Sequence, residues 1–364
     1  VALGRRLKSF DWSQWDKGLA RRKPDALGLA CYGLHDEIRL EQFKQFLFDR
    51  QWKAVRLYAN QRGIKIIGDV PIFVSGNSAD VWVSPGQFLL DRDLRAKVVS
   101  GVPPDYFSAD GQRWGNPLYN WAAMERDGFR WWIDRIRTLV DQADIVRIDH
   151  FRGLAACWHI PASETTAKKG RWVKSPGEKL LAAAGKALGT LPLIAEDLGL
   201  ITPDVEALRD RFQLPGMRVL QFGFDTNADD PFLPHNFVRN CVAYTGTHDN
   251  DTTVGWYRSL RPAERKRAAA YLPGLASDPA FTAIRAVLGS VADTAIIPAQ
   301  DVLCLGTRDR MNRPGEGTGN WRWRLDPGYD RSSQWQRVAE LTALYGRAGH
   351  PRATNATQRH TFVS

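Results

Sequence analysis

Ile145-Val146-Arg147-Ile148-Asp149-His150-Phe151-Arg152-Gly153 is the stretch on which the reading of the fold turns. A short apolar run with two charges near its end predicts a strand buried on both faces, the pattern of a parallel sheet covered by helices. Side chains alternate along a strand, so Arg147 and Asp149 point to the same side. A guanidinium in that position needs an anion to offset its desolvation, and a carboxylate two residues along can supply it. The pairing would hold Asp149 ionised at neutral pH. Barrel enzymes keep their catalytic groups at the carboxyl ends of buried parallel strands. Taken alone, the two residues fit a structural ion pair equally well, because such pairs also perturb titration without doing chemistry.

Working outward, the same layout of helix, breaker, apolar strand and acid recurs. Residues 9–62 are predicted to be mostly helical, with apolar residues at three- and four-residue spacing from Leu40 to Tyr58. Gly63 ends that pattern, and Ile64 to Val70 reads as a buried strand carrying Asp69 near its end. Residues 71–128 form a long connection rich in Gly, Pro and large rings, including Phe73, Trp82, Tyr106, Phe107, Trp114 and Tyr119. Loops of that length inside a domain are usually functional or disordered, and this one holds too many rings for disorder. Rings can be mere packing, but ring faces also stack on the apolar faces of sugars.

A helix over 129–142 leads into the central strand, and another is expected near 178–188. Residues 192–197 then repeat the apolar strand ending in acids, Glu196 and Asp197, and Thr202-Pro203 opens a helix with a cap and acids in its first turn. Further strands are expected at 217–225, at 242–251 with His248 and Asp249 near its end, and at 295–303. The alternation predicts an α/β fold of the (β/α)8 TIM-barrel kind with helical and loop insertions. Only six strand-plus-helix units are visible, so the barrel is expected to lack its first strands in this chain. The expected organisation is a helical insertion region over 1–62, the remainder of the catalytic barrel over 63–348 with 71–128 as a long substrate-side insertion, and a polar tail over 349–364.

Composition excludes several classes. The chain has 364 residues, 43% hydrophobic and 25% charged, ordinary globular usage that neither a disordered nor a fibrous chain would show. No apolar run is long enough to span a bilayer and the first residues lack the core of a signal peptide, so a cytoplasmic protein is expected. Cys31, Cys157, Cys241 and Cys304 are far apart, which signals neither a zinc site nor a disulfide framework. Lys and Arg number 50 against 40 Asp and Glu, giving +10. These charges are spread and mixed, and no nucleic-acid-binding signature accompanies them, so nucleic acid is not an expected partner.

The chemistry rests on three acids at expected strand ends, Asp149, Glu196 and Asp249. Parallel strands bring such ends to one mouth. Close carboxylates resist simultaneous ionisation, so one is pushed toward its protonated form while the neighbour of Arg147 stays anionic. One carboxylate attacking an anomeric carbon while another protonates the leaving oxygen is the requirement of retaining glycosidic cleavage. Metal binding is the rival reading of clustered acids, but the dense local spacing of calcium loops is absent.

Longer motifs go further. Gly68 to Phe73, Gly101 to Phe107, Gly111 to Tyr119, Arg147 to Gly153, Ala195 to Gly199, Leu214 to Met217, Thr245 to Thr252 and Arg310 to Asn312 together resemble the amylomaltases, the 4-alpha-glucanotransferases or disproportionating enzymes of the alpha-amylase superfamily. The resemblance runs from about residue 40 to residue 345. It implies transfer of 1,4-alpha-glucan segments to a glucose or malto-oligosaccharide acceptor, with no metal or organic cofactor and no membrane partner. By position it makes Asp149 the nucleophile, Arg147 its partner, Glu196 the general acid and base in preference to Asp197, and Asp249 the third carboxylate with His248 beside it. A satisfied structural histidine is the alternative for His248. Asp69 supports the site or is purely structural. Tyr106, Phe107 and Trp114 fall on the loop covering the acceptor side, and Asn312 lies near the donor sugar. A retaining alpha-glucan hydrolase, or an inactive glucan-binding fragment, would carry much of the same sequence.

Overall fold

The run ending in Asp149 is a strand and lies at the centre of a three-stranded parallel sheet. The computed structural model describes residues 1–104, 108–224 and 227–349, and the chain divides into two units, residues 1–216 and 217–364. The first unit holds strands β1 (Ile67–Pro71), β2 (Val98–Val102), β3 (Gln112–Pro117), β4 (Ile145–Asp149), β5 (Ala156–Pro161), β6 (Arg171–Lys174) and β7 (Leu193–Ala195). Strands β8 (Gly216–Val219), β9 (Cys241–Tyr244) and β10 (Thr294–Ile296) follow.

In the first unit β1, β4 and β7 pair in parallel, with Asp69 in register with Arg147 and Ile148 in register with Ala195. Val146 and Ile148 are buried on one face of β4, against Trp132 and Ile136 of the helix Arg130–Gln142 and Leu180, Leu181 and Ala184 of the helix Gly177–Leu188. Trp132 and Ile136 are four residues apart and so share one helix face. Each large apolar side chain buried this way contributes roughly 1.5–3 kcal/mol. That burial fixes the face of β4 that carries Arg147 and Asp149.

The segment 71–128 is not a bare connection. It contains the helices Ala79–Val83 and Trp121–Arg126 and the strands β2 and β3, which join β5 and β6 in an antiparallel sheet of order β3-β2-β5-β6. Residues 156–174, for which the sequence pattern gives no strand, form the β5–β6 pair. Trp158 packs edge-on against Trp172 across that pair, with ring centroids 5.3 Å apart.

Other expectations change in detail. The helix His35–Asn60 forms where its periodicity predicts, but none of its residues is fully buried. It is attached to the end of the helix Arg130–Gln142 and the turn before β4 by polar contacts: Trp52 Nε1 donates to the Gln142 carbonyl at 2.7 Å, and Arg56 and Asn60 donate to Asp144 at 2.8 and 2.9 Å. Strand β1 starts at Ile67 rather than Ile64 and is an edge strand, so Ile64 and Ile67 are exposed and only Val70 is buried.

In the second unit β8, β9 and β10 form a sheet in which β10 runs parallel to β9. All three strands are shorter than expected. Leu220–Phe222 turn into a 3-10 helix after β8, and residues 299–302 form a helix after Pro298 rather than extending β10. Proline there removes a ladder donor and presets the first turn of a helix. Strand β9 ends at Tyr244, so Asp249 sits in the following loop and not at the strand end. Among the described residues no helix is long and apolar enough to cross a membrane. Of the expected tail, only Gly349 is among the described residues.

Candidate active site

Parallel pairing places Asp69 of β1 beside Arg147 of β4, and alternation places Asp149 on the same side two residues on. The guanidinium bridges both carboxylates. Arg147 Nε and Nη2 donate to the two oxygens of Asp69 at 2.7 and 3.2 Å, and Nη2 also donates to Asp149 Oδ1 at 2.8 Å. The Arg147 side chain is 10% exposed while those of Asp69 and Asp149 are 49% and 42% exposed, so a buried cation presents two accessible anions. Burial works against the charge on Arg147. The hydrogen bond and charge of Asp69, with the charges of Asp149 and Glu196, outweigh it and raise the guanidinium's pKa above its ordinary value.

Glu196 is the residue after β7. Its backbone N–H donates to the Ile148 carbonyl and its carbonyl accepts from Phe151 N–H, both at 3.1 Å, which seats it next to the end of β4. Its carboxylate accepts from the backbone N–H of His150 at 2.7 Å and of Leu198 at 3.1 Å. Burial, followed by the nearby negative charge of Asp149, pushes the Glu196 carboxyl up to about 7, against the opposing effects of Arg147 and the two backbone donors. Asp197 is engaged elsewhere. Buried at 4% exposure, it accepts from Arg209 Nη1 at 2.6 Å.

His150 adopts a left-handed backbone conformation, φ 54° and ψ 50°, uncommon for a residue with a Cβ. That turn aims its N–H at Glu196. Its ring stands edge-on to Trp114 of β3, with centroids 4.8 Å apart, and beside Phe73 at 6.2 Å. Burial and the nearby Arg152 charge lower the imidazole pKa to about 4, so the ring is neutral at physiological pH. Trp114 is half-exposed, its indole N–H donating to Gln112 Oε1 at 3.0 Å. Tyr106 and Phe107 lie outside the described residues.

In the second unit the loop after β9 carries His248 and Asp249. Asn312 Nδ2 donates to Asp249 Oδ1 at 2.5 Å, Arg310 Nη2 donates to the Asp249 carbonyl at 2.6 Å, and His248 Nε2 lies 3.3 Å from Asp249 Oδ2. The His248 ring packs at 5.2 Å from Trp321.

Within the first unit Asp69, Arg147, Asp149 and Glu196 therefore cluster, with Trp114 reaching them through His150. Within the second, His248, Asp249 and Asn312 cluster. Residues missed by sequence reasoning are His150, Arg310 and Trp321. His150 and Arg310 stood inside quoted motifs, and the signal was their adjacency to Asp149 and Asn312. Nothing in the local pattern marked Trp321.

A family model described as 4-alpha-glucanotransferase, of glycosyl hydrolase family 77, matches residues 1–330. The chain is 52% identical over 342 residues to the 4-alpha-glucanotransferase of Thermus thermophilus, spanning 91% of this chain and 68% of that protein. It is 49% identical over 342 residues to the 4-alpha-glucanotransferase of Synechocystis sp., spanning 92% of this chain and 67% of the relative. The chain thus spans about two thirds of the length of these relatives. The solved structure of the Streptococcus agalactiae amylomaltase in complex with acarbose superposes with a TM-score of 0.92 at 39% identity, covering 95% of this chain and 70% of that one. With this match over most of its length, the chain belongs to the 4-alpha-glucanotransferase family.

Proposed function

We propose that the chain transfers segments of 1,4-alpha-glucans to a glucose or malto-oligosaccharide acceptor by a retaining double displacement. One observation carries the reading. Two neighbouring carboxyl groups stand in different surroundings, Asp149 partly exposed and bonded to the Arg147 guanidinium, Glu196 raised to about 7 by burial and by the Asp149 charge. An acid and an anion side by side are the starting condition for retaining glycosidic chemistry.

In the first half-reaction Glu196 gives its proton to the glycosidic oxygen as the bond to the anomeric carbon breaks. An Asp149 oxygen forms a new bond to that carbon, giving a glycosyl ester and releasing the shortened glucan. In the second, Glu196, now a carboxylate, takes the proton from an acceptor hydroxyl. That hydroxyl oxygen attacks the anomeric carbon and the ester bond breaks, restoring Asp149 and the anomeric configuration. Arg147 disperses the charge Asp149 gains and loses, and Asp69 orients Arg147. Asp249, with His248, grips hydroxyls of the sugar being transferred and favours its distorted form, while Asn312 sets the Asp249 rotamer. Trp114 covers the acceptor side, where excluding water favours a sugar hydroxyl over hydrolysis.

The parallel strands of both units are read as strands of a (β/α)8 barrel, supported by the family match and by the parallel β1-β4-β7 pairing. Incubation of the purified chain with maltotriose alone tests the function. Chromatography is expected to show glucose together with a ladder of longer oligosaccharides. Glucose and maltose without longer products would instead make the chain a hydrolase.

A further inference from the structure

We propose that Asp301, on the short helix Ala299–Val302 after β10, is a positioning residue that pins both ends of the loop carrying His248 and Asp249. Thr245 begins that loop, immediately after β9, and Thr253 begins the helix that follows it. Asp301 Oδ2 accepts from Thr245 Oγ1 at 2.5 Å and from Thr253 Oγ1 at 2.7 Å, and Oδ1 accepts from the Thr253 backbone N–H at 2.7 Å. Asp301 is 1% exposed and both threonines are fully buried.

A carboxylate out of water is costly unless its oxygens are satisfied. All three of these donors come from the two ends of one loop. What the buried group fixes is therefore the separation of those ends. Register makes this possible: β10 lies parallel to β9 with Ile296 opposite Tyr244, so the helix after Pro298 returns beneath the end of β9. Between the pinned ends the loop braces itself, Asn250 Oδ1 accepting from Thr247 N–H and Oγ1 at 2.9 and 2.8 Å, and Thr247 Oγ1 accepting from Asp249 N–H at 3.2 Å. Thr307 Oγ1 donates to Asp251 Oδ2 at 2.9 Å, and Gln221 Nε2 donates to the Asp251 carbonyl at 2.9 Å. Asp249 is thereby delivered to Asn312 and Arg310 by a loop with its ends clamped to one carboxylate.

The inference rests on the reading of Asp249 as the third carboxylate, and the experiment separates the two. Hydrogen exchange over residues 246–252 and maltotriose kinetics are measured for the full chain and for Asp301→Ala, Asp301→Asn, Thr245→Val and Thr253→Val. The valine variants remove one hydroxyl each at nearly constant volume, so they test the clamp even where Asp301→Ala does not fold. Exchange is expected to rise in 246–252 and not in β8. The kcat is expected to fall roughly ten- to a hundredfold in Asp301→Ala, and less in the valine variants, with KM little changed. Asp301→Asn, which still accepts and whose amide can donate to a threonine oxygen, is expected to recover most of the loss. Unchanged exchange, exchange raised throughout the second unit, or faster loop exchange with unchanged kcat would each overturn the positioning role. An unaltered chain that performs no transfer overturns the reading of Asp249, and the exchange data then decide the clamp by themselves.

Discussion

The backbone N–H of His150 donates to Glu196 Oε2 at 2.7 Å, so the residue following Asp149 on β4 holds the carboxyl group that follows β7. This couples the two groups assigned to the chemistry through one peptide unit.

Glu196 gives the pH dependence of transfer its basic limb. Its proton is held up to about 7, so kcat is expected to fall as pH rises through that value. Stability should follow the same proton with a definite sign. Between the unperturbed value of 4.5 and about 7 the folded state keeps a proton that the unfolded state has released, so stability declines as pH rises across that window. The full effect is on the order of 3 kcal/mol. Glu196→Gln should abolish transfer and flatten the decline, read from urea midpoints at pH 5 and pH 8. An equally steep decline in the variant would show that another group is responsible.

Asp149→Asn removes the nucleophile while keeping its shape. Transfer is expected to disappear almost entirely, and chromatography of maltotriose incubations showing substantial longer products would place the nucleophile elsewhere.

Arg147 faces three acids, Asp69, Asp149 and Glu196. Arg147→Lys keeps a charge but loses the two-pronged contact with Asp69, so Glu196 feels the cation less and holds its proton to higher pH. The basic limb of the kcat profile is expected to move in the alkaline direction. A profile that keeps its position while only its height falls would reduce Arg147 to a packing role.

Trp114 stands 4.8 Å from the His150 ring, beside the residue that holds Glu196. Trp114→Ala opens that side to water, and the ratio of hydrolysis to transfer is expected to rise. Free glucose released per longer product formed is the measurement, and an unchanged ratio would reject the role.

Gly216 has no room for a side chain, since an added Cβ would lie 2.4 Å from Asp197 Oδ2. Gly216→Ala is expected to disturb the Asp197–Arg209 ion pair and destabilise the fold by roughly 1–3 kcal/mol. A urea midpoint within error of the parent would show that Asp197 can step aside at no cost.

Much of this was legible in the chain. The alternation within Ile145–Asp149 gave the strand, the shared side of Arg147 and Asp149, and their contact, because a period of two leaves no other choice. Acids after apolar runs marked Glu196, Asp197 and Asp249, and the long motifs gave the family and with it the choice of Glu196 over Asp197. Less was legible where a residue's partner is remote. That Asp69 would take two of the guanidinium's donors depends on the register of β1 against β4, and register is a property of two strands together. The β5–β6 pair was missed for the same reason, as was the exposure of the helix His35–Asn60, since periodicity reports which residues share a face and not what covers it.

The sequence by itself therefore determined the alternation along β4, the candidate acids and the family, all of which are carried by residues close together along the chain. Only the tertiary structure decided how far the Glu196 carboxyl is raised and by what. The elevation of Glu196 comes from burial and from a charge on another strand, and Asp301 comes under the Asp249 loop only because β10 lies beside β9. Electrostatic energy depends on distance through space and on the removal of water, and neither quantity is written in a linear order of residues.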